Sequence, residues 1–533
     1  MLMLAWPLGV GGALTFFLES FILPRPRPCW KRPLAAISIH FGFWLLFFVL
    51  ILALFRRPYL ASTVVLALFL FLVLISNAKF NSLSEPFVFQ DYEYFFDAFR
   101  HPRFYFPFFG VRLALSITAG IGLALFAGTL LESPLTAIIP VTTVIIGLMV
   151  LIALGLIFLW LGARQHLKMT FNPRVDIERF GLMPTVLSYA LEERKPIGIT
   201  PGRTSGVSSH HPRVLPNLLV VQSESFFDVR RAFPGIRPDV LGQFDLFKKA
   251  SIGHGLLDVP AWGANTVRTE FAFFSGLDST LLGVHRFNPY RWLVQQNIPT
   301  LTGFLKKLGY KIVCVHPYTA SYYARDKIFP LLGFDEFIDI KHFNGAGKQQ
   351  PYVGDLALAE KVGSIWGTYT RNSKQPLFLF VITMENHGPL HLESVQPDDM
   401  TRFLFKSLPK DCDDLIVYLR HLSNADQMIA RLRRLLSTFT GDNWFCFYGD
   451  HTPIMPKVYE RYGVPDGKTD YVIWNNKEVS GISMPLEMEI EELGSFLLNK
   501  MGLLTLDDEP ANKLRLQSPY PISPSADSIN VHR

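Results

Sequence analysis

Four stretches of this chain place reactive side chains directly behind apolar runs of strand length. "NLLVVQSE" ends on Glu224, "WFCFYGDH" on Asp450 and His451, "PLFLFVITMENH" on His387, and "KIVCVHPYTASYYARD" on Arg325 and Asp326. A carboxylate from one strand end and an Asp-His pair from another make a set of oxygen and nitrogen donors. Such a set suits a divalent ion: manganese, magnesium or zinc. Each signal has an ordinary alternative. A Glu behind a strand also serves as a solvated residue or helix cap, and Gly449-Asp450 also makes a tight turn. The GDH step stands out because it breaks off a run that otherwise reads as buried. A fifth stretch, "VPAWGANTVRTEFAFFSGLD", sets a small hydroxyl, Thr266, behind Gly-Ala-Asn, with Arg268 and Glu270 where a Phe-rich run begins. Thr266 there reads as a helix N-cap, and a helix amino terminus also attracts phosphate oxygens.

Positioning these groups takes a sheet. From about residue 217 to 507, continuous apolar runs alternate with segments of helical period such as "DLALAEKVGSIWG" and "NADQMIARLRRLLSTF". That alternation predicts an α/β domain on a mostly parallel sheet, whose ligand sites fall at the carboxyl ends of the strands. Residues 164–216 are polar, with "ITPGRTSGVSSHHPRV" reading as a linker; residues 508–533 read as a disordered tail.

Residues 1–163 are different. Five apolar runs, Leu2 to Leu23, Leu34 to Phe55, Tyr59 to Ile75, Val111 to Leu131 and Leu135 to Leu161, approach or exceed the roughly 20 residues that cross a hydrocarbon core. They predict an α-helical transmembrane region of about five spans. The first lacks a basic start and a small-x-small exit, so it reads as a retained anchor, not a cleaved signal. Between the third and fourth, "FQDYEYFFDAFRHPRFYFPFF" reads either as a segment lying in the headgroup layer or as a polar loop. The net charge of +6 is small for 533 residues, and no basic block interleaves with aromatics after residue 165. Nucleic acid is therefore not an expected partner. Cys29, Cys314, Cys412 and Cys446 show no CxxC spacing, which supports neither a zinc site nor a disulfide framework.

"ESFFD", "GANTVRTEF", "YYARD", "MENHGP" and "YGDH" occur in the order, and near the spacing, of the lipoteichoic acid synthase and phosphoglycerol transferase group of the sulfatase and alkaline phosphatase superfamily, which this chain resembles over essentially its whole length. The resemblance implies an exported sulfatase-like catalytic domain behind the membrane spans, in the inner membrane of a bacterium. It implies a divalent metal, manganese first, held by Glu224, Thr266, Asp450 and His451, with Thr266 as the nucleophile. Arg325 and His387 would bind the phosphate group, and His387 would also move a proton. Tyr323 would line the substrate where the group often has Trp, and His316-Pro-Tyr318 departs from a pattern that has a carboxylate there. The implied reaction moves glycerol phosphate from a membrane phospholipid donor, phosphatidylglycerol, to a hydroxyl of a glycan or glycolipid acceptor. Phosphoethanolamine transfer is the alternative enzyme reading, and a membrane sensor or scaffold of the same fold the alternative outside catalysis. A sulfatase reaction proper would want a Cys/Ser-x-Pro-x-Arg at the nucleophile. Loop charges pull against export: Arg25, Arg27, Lys31 and Arg32 lie between the first two runs, Arg56 and Arg57 between the next two, and adjacent loops cannot both be cytoplasmic.

Overall fold

The computed structural model describes residues 2–92, 111–195, 197, 200–201, 206–207, 214–296, 298–343, 351–477, 484–505 and 517–518. The chain divides into two compact units, Met1–Pro196 and Ile197–Arg533.

The first unit is helical: α1 (Leu2–Glu19), α2 (Leu34–Phe55), α3 (Pro58–Leu83), α4 (Val111–Leu131), α5 (Val141–Arg164), α6 (Pro173–Phe180) and α7 (Leu182–Glu192). Among the described residues four stretches are long and apolar enough to cross a membrane: α2, α3, Ala119–Ala137 and α5. Leu4–Glu19 is a shorter apolar helix beside these four, and together they make the helical region of about five apolar runs that the sequence predicts. The first helix stops at Glu19, short of Leu23, because the Glu19 carboxylate is drawn inward, taking Arg32 and the backbone N–H of Leu182 at 2.8 Å. Where α2 meets α5, Gly42 and Gly155 face one another so closely that a Cβ on Gly42 would lie 3.0 Å from the Gly155 carbonyl. Small residues at such crossings let helices approach where lipid offers no hydrophobic drive. Elsewhere α5 leaves Ile145, Ile146, Met149, Val150, Leu156 and Trp160 exposed, as a lipid-facing surface requires. The expected linker is half structured: α6 and α7 fall within 164–216, held by Asp176, which accepts from Thr170 N at 3.0 Å and from the Tyr189 hydroxyl at 2.8 Å. The headgroup-layer segment lies outside the described residues beyond Tyr92. So does the tail, apart from Gln517–Ser518, which pair with Thr200–Pro201.

The second unit is built on an eight-stranded sheet: β1 (Asn217–Ser223), β2 (Gly253–Asp258), β3 (Lys311–Val315), β4 (Glu336–Ile338), β5 (Leu377–Ile382), β6 (Asn443–Gly449), β7 (Thr469–Asn475) and β8 (Met488–Glu489). In space the order is β8-β2-β7-β6-β1-β5-β3-β4, and β7 alone of the eight runs against the rest. The side-chain period of two divides each apolar run between two cores. Leu219, Val221, Leu379 and Phe447 enter one, with α8 (Gly242–Lys249), α12 (Asp355–Asn372) and α13 (Asp413–Thr438). Leu218, Val220, Phe380 and Cys446 enter the other, with α9 (Thr266–Ser275), α10 (Leu301–Lys307), α11 (Arg325–Leu332) and α14 (Ile490–Lys500). Both faces being covered explains why these strands read as unbroken apolar runs. The four cysteines are free.

Candidate metal centre

β1 and β6 are parallel neighbours in register, Ser223 opposite Gly449, so the residues that follow them emerge side by side. Gly449 is required there: a Cβ would lie 1.8 Å from the Phe226 carbonyl oxygen, closing the gap that admits Asp450. Glu224, Asp450 and His451 are all buried and bring one ligand atom each to within 4.8 Å of one another. His451 Nε2 stands 3.5 Å from Glu224 Oε1 and 3.5 Å from Asp450 Oδ2, yet neither His451 Nε2 nor Asp450 Oδ2 has a hydrogen-bond partner. Two buried acids beside an imidazole, with Asp450 Oδ2 and His451 Nε2 unmet, suffer desolvation and mutual repulsion unless a cation lies between them. Burial, and after it the charge of Asp450, raises the Glu224 carboxyl to about 8. The donor set therefore fits a divalent ion.

Ser225, which the sequence does not advertise, braces the centre. Its backbone N–H donates to Asp450 Oδ1 at 2.8 Å and its hydroxyl to Glu224 Oε1 at 3.0 Å, while its Oγ lies 3.3 Å from His451 Nδ1. These contacts need a left-handed backbone, φ 53°, a strain typical of residues held at functional sites. The adjoining signal was the hydroxyl itself, directly behind Glu224 in "SES". Thr383 braces the other side, its Oγ1 accepting from Glu224 N at 2.9 Å.

Thr266 is the first residue of α9 and is buried. Its helix stands on the Asp450 turn: the Thr269 hydroxyl donates to the Asp450 carbonyl at 2.8 Å, and Gly263 N donates to the Thr452 carbonyl at 3.1 Å. Asn265, at φ 68°, makes the reversal that starts the helix at this point.

Arg325 is placed differently from what its role as a two-toothed phosphate clamp expects. Its Nε and Nη2 are spent on Glu270, at 3.3 and 2.9 Å, and Nη1 meets His316 Nε2 at 3.4 Å. Burial and Arg325 together hold His316 well below the usual imidazole range. Glu270 also accepts from the Tyr290 hydroxyl and from Gln222 Nε2. Tyr323 lies under the Arg325 guanidinium, 5.2 Å from ring centre to carbon, and burial lifts its hydroxyl to about 12. Tyr323 and Ala324 both have left-handed backbones, φ 54° and 52°. His387 is half-buried on the loop after β5, with Nδ1 2.8 Å from the Gly388 carbonyl. A nitrogen against a carbonyl carries the proton, so Nε2 is the basic nitrogen of that ring.

A sulfatase family model matches residues 216–492, more than half of the chain, and the chain belongs to that family. It is an enzyme of the metal-dependent sulfatase and alkaline phosphatase superfamily. Among curated proteins, the capsular polysaccharide biosynthesis protein RkpI of Rhizobium meliloti (strain 1021) is 27% identical over 438 residues, covering 78% of this chain and 77% of its own. Among solved structures, the integral membrane protein lipooligosaccharide phosphoethanolamine transferase A of Neisseria meningitidis shares the fold of both units in sequence order, at a TM-score of 0.55 and 14% identity over 91% of this chain and 89% of its own. The Streptococcus pyogenes phosphoglycerol transferase GacH, solved with sn-glycerol-1-phosphate, aligns with 55% of this chain and 77% of its own at 19% identity and a TM-score of 0.45.

Proposed function

We propose that the protein is a membrane-anchored phosphoglycerol transferase, moving glycerol phosphate from phosphatidylglycerol to a hydroxyl of a glycan or glycolipid through a phosphothreonine at Thr266. The observation that carries this reading is the convergence of Glu224, Asp450 and His451, with Asp450 Oδ2 and His451 Nε2 unmet, at the turn on which the helix that Thr266 begins is seated. A divalent ion, manganese in our assignment, would be held there by Glu224, Asp450, His451 and the Thr266 hydroxyl, and would supply Lewis-acid polarisation of the phosphate and acidification of that hydroxyl. In the first displacement the Thr266 oxygen attacks phosphorus while its proton passes to His387 Nε2, the bond from phosphorus to the diacylglycerol oxygen breaks, and His387 gives that proton to the leaving alkoxide. In the second the acceptor hydroxyl attacks, its proton passes to His387 Nε2, the phosphorus–Thr266 bond breaks, and His387 returns the proton to the Thr266 oxygen. The amino terminus of α9 favours the phosphate charge. Arg325 sets the electrostatic floor of the site while Glu270 holds it in place, and Tyr323 lines the headgroup side.

The relative named for capsular polysaccharide biosynthesis supports a glycan-side acceptor. We place the catalytic unit outside the cytoplasmic membrane. Arg32, one of the loop charges that argues against export, is buried against Glu19, so its charge is already neutralised and does little to hold that loop inside. An alkaline phosphatase fused after Arg533 is then active and a fluorescent protein that folds only in the cytoplasm is dark; the reverse pair refutes export. The chemistry is tested by Thr266→Ala, which abolishes diacylglycerol release from phosphatidylglycerol while retaining bound metal. A scaffold of this fold would show no release to abolish.

A further inference from the structure

The loop that follows β5 carries buried polar groups that the reaction above does not use. Glu385 is fully engaged: Oε2 accepts the backbone N–H of Asp355, the first residue of α12, at 2.6 Å, and Oε1 accepts from Asn424 Nδ2 at 2.5 Å. Its neighbours are not. Both carboxylate oxygens of Asp355 and both amide atoms of Asn386 are buried without a hydrogen-bond partner, and each residue is 1% exposed. Leaving a buried polar group unmet costs about 1–3 kcal/mol, and four such atoms, on Asp355 and on the residue next to its partner Glu385, call for an explanation.

Their position supplies one. The same loop begins at Thr383, which accepts from Glu224 N at 2.9 Å, so Asn386 lies three residues from a contact with the metal carboxylate. Burial, then the charges of Glu385 and Glu224, push the Asp355 carboxyl well above its ordinary range, which puts Asp355 within the field of the same centre. Tyr352 and His387, with ring centres 5.5 Å apart, stand where this loop meets the segment leading into α12, and the Tyr352 hydroxyl donates to the Gly388 carbonyl at 3.3 Å.

The donor and acceptor inventory selects the ligand. The Asp355 carboxyl, pushed toward its neutral form, offers one O–H donor and further acceptors; Asn386 offers two N–H donors and one acceptor. An ammonium group donates only, so it would leave the Asp355 O–H and the Asn386 N–H groups unmet. Hydroxyl groups both donate and accept, completing both residues. We propose that Asp355 and Asn386 bind the hydroxyl end of the transferred group, so that the donor is selected as a small polyol phosphodiester. This rests on the phosphotransferase reading above and names the feature that sets its specificity.

The test uses the full-length protein in detergent with manganese, assayed on phosphatidylglycerol, on phosphatidylethanolamine and on bis(p-nitrophenyl) phosphate, which has no polyol. The wild type releases diacylglycerol from phosphatidylglycerol at least tenfold faster than from phosphatidylethanolamine. Asp355→Asn and Asn386→Leu, both close to isosteric, each lower kcat/KM on phosphatidylglycerol about 10- to 100-fold more than on bis(p-nitrophenyl) phosphate, the loss expected when buried hydrogen-bonding groups are left unmet. Should Asp355→Asn not fold, Asn386→Leu decides alone. Equal losses on the two substrates would make the pair a structural prop and overturn the proposal. Release from phosphatidylethanolamine alone would overturn the polyol assignment and leave phosphotransfer standing. Release from neither lipid would remove phosphotransfer itself.

Discussion

Two clusters of buried charge sit near the carboxyl edge of one sheet and are completed in opposite ways. Around Glu270 every demand is met inside the protein, by two nitrogens of Arg325, the Tyr290 hydroxyl and Gln222. Around Glu224 the groups are as deeply buried, but Asp450 Oδ2 and His451 Nε2 stand 3.5 Å apart and neither has a hydrogen-bond partner. The first arrangement is framework, since a paired ion in a core holds neighbours in place. The second is a vessel, because its geometry makes sense only around something that shares electron pairs. Buried charge alone does not mark a reactive site; buried charge left unmet does.

Substitutions should separate the two clusters sharply. Asp450→Ala should remove bound divalent metal and lower turnover on the order of 10³-fold or more, with the far-ultraviolet circular dichroism of the wild type. Metal retained at full occupancy would dissolve the site as drawn. Glu270→Ala should do the reverse, costing about 3–5 kcal/mol in denaturant unfolding because Arg325 is left buried and alone, while the folded fraction still binds metal.

Acidity gives a finer contrast. Glu224 is raised from 4.5 to about 8 in the folded protein, so the folded state keeps a proton that the unfolded chain has lost. That stabilisation is complete below about pH 4.5 and disappears as pH rises through about 8. Chelator-treated protein should therefore melt at a lower temperature at pH 8.5 than at pH 5.5. Metal binding displaces that proton, so apparent affinity should climb about tenfold per pH unit below 8 and level off above it. A flat affinity profile between pH 6 and 8 would show that Glu224 is already ionised. The smallest effect belongs to Ser225→Ala: about tenfold weaker metal binding, with about 1 kcal/mol lost in stability, read by calorimetric titration and by denaturant unfolding.

The strands were legible because a doubly covered parallel sheet writes unbroken apolar runs, and Glu224, Asp450 and His451, which the fold brings together, are where those runs stop. The start of α9 was legible to within one residue: Asn265, not Thr266, is the cap, and Thr266 is the first helical residue. What the sequence hides is pairing across the fold. Nothing in "TEF" and "ARD" says that Glu270 and Arg325 are 55 residues apart in the chain and in contact, so Arg325 read as a clamp for phosphate when its fork is already taken. Glu19 is the same lesson in the first unit: along the chain it is a lone charge near the end of an apolar run, and only the fold reveals its partners, Arg32 and the Leu182 N–H. Asp355 opens a helical segment, where an acidic residue is ordinary and marks no site.

The central claim is that Thr266 carries the phosphoryl group between donor and acceptor. It is tested most directly by incubating the full-length protein with phosphatidylglycerol and metal, quenching in acid without an acceptor, and mapping the digest by mass spectrometry. The account predicts a glycerophosphoryl adduct on the peptide containing Thr266, absent in Thr266→Ala and chased by added glycan acceptor. Diacylglycerol release at the wild-type rate from Thr266→Ala, or headgroup transfer with the Thr266 peptide never modified, would contradict it.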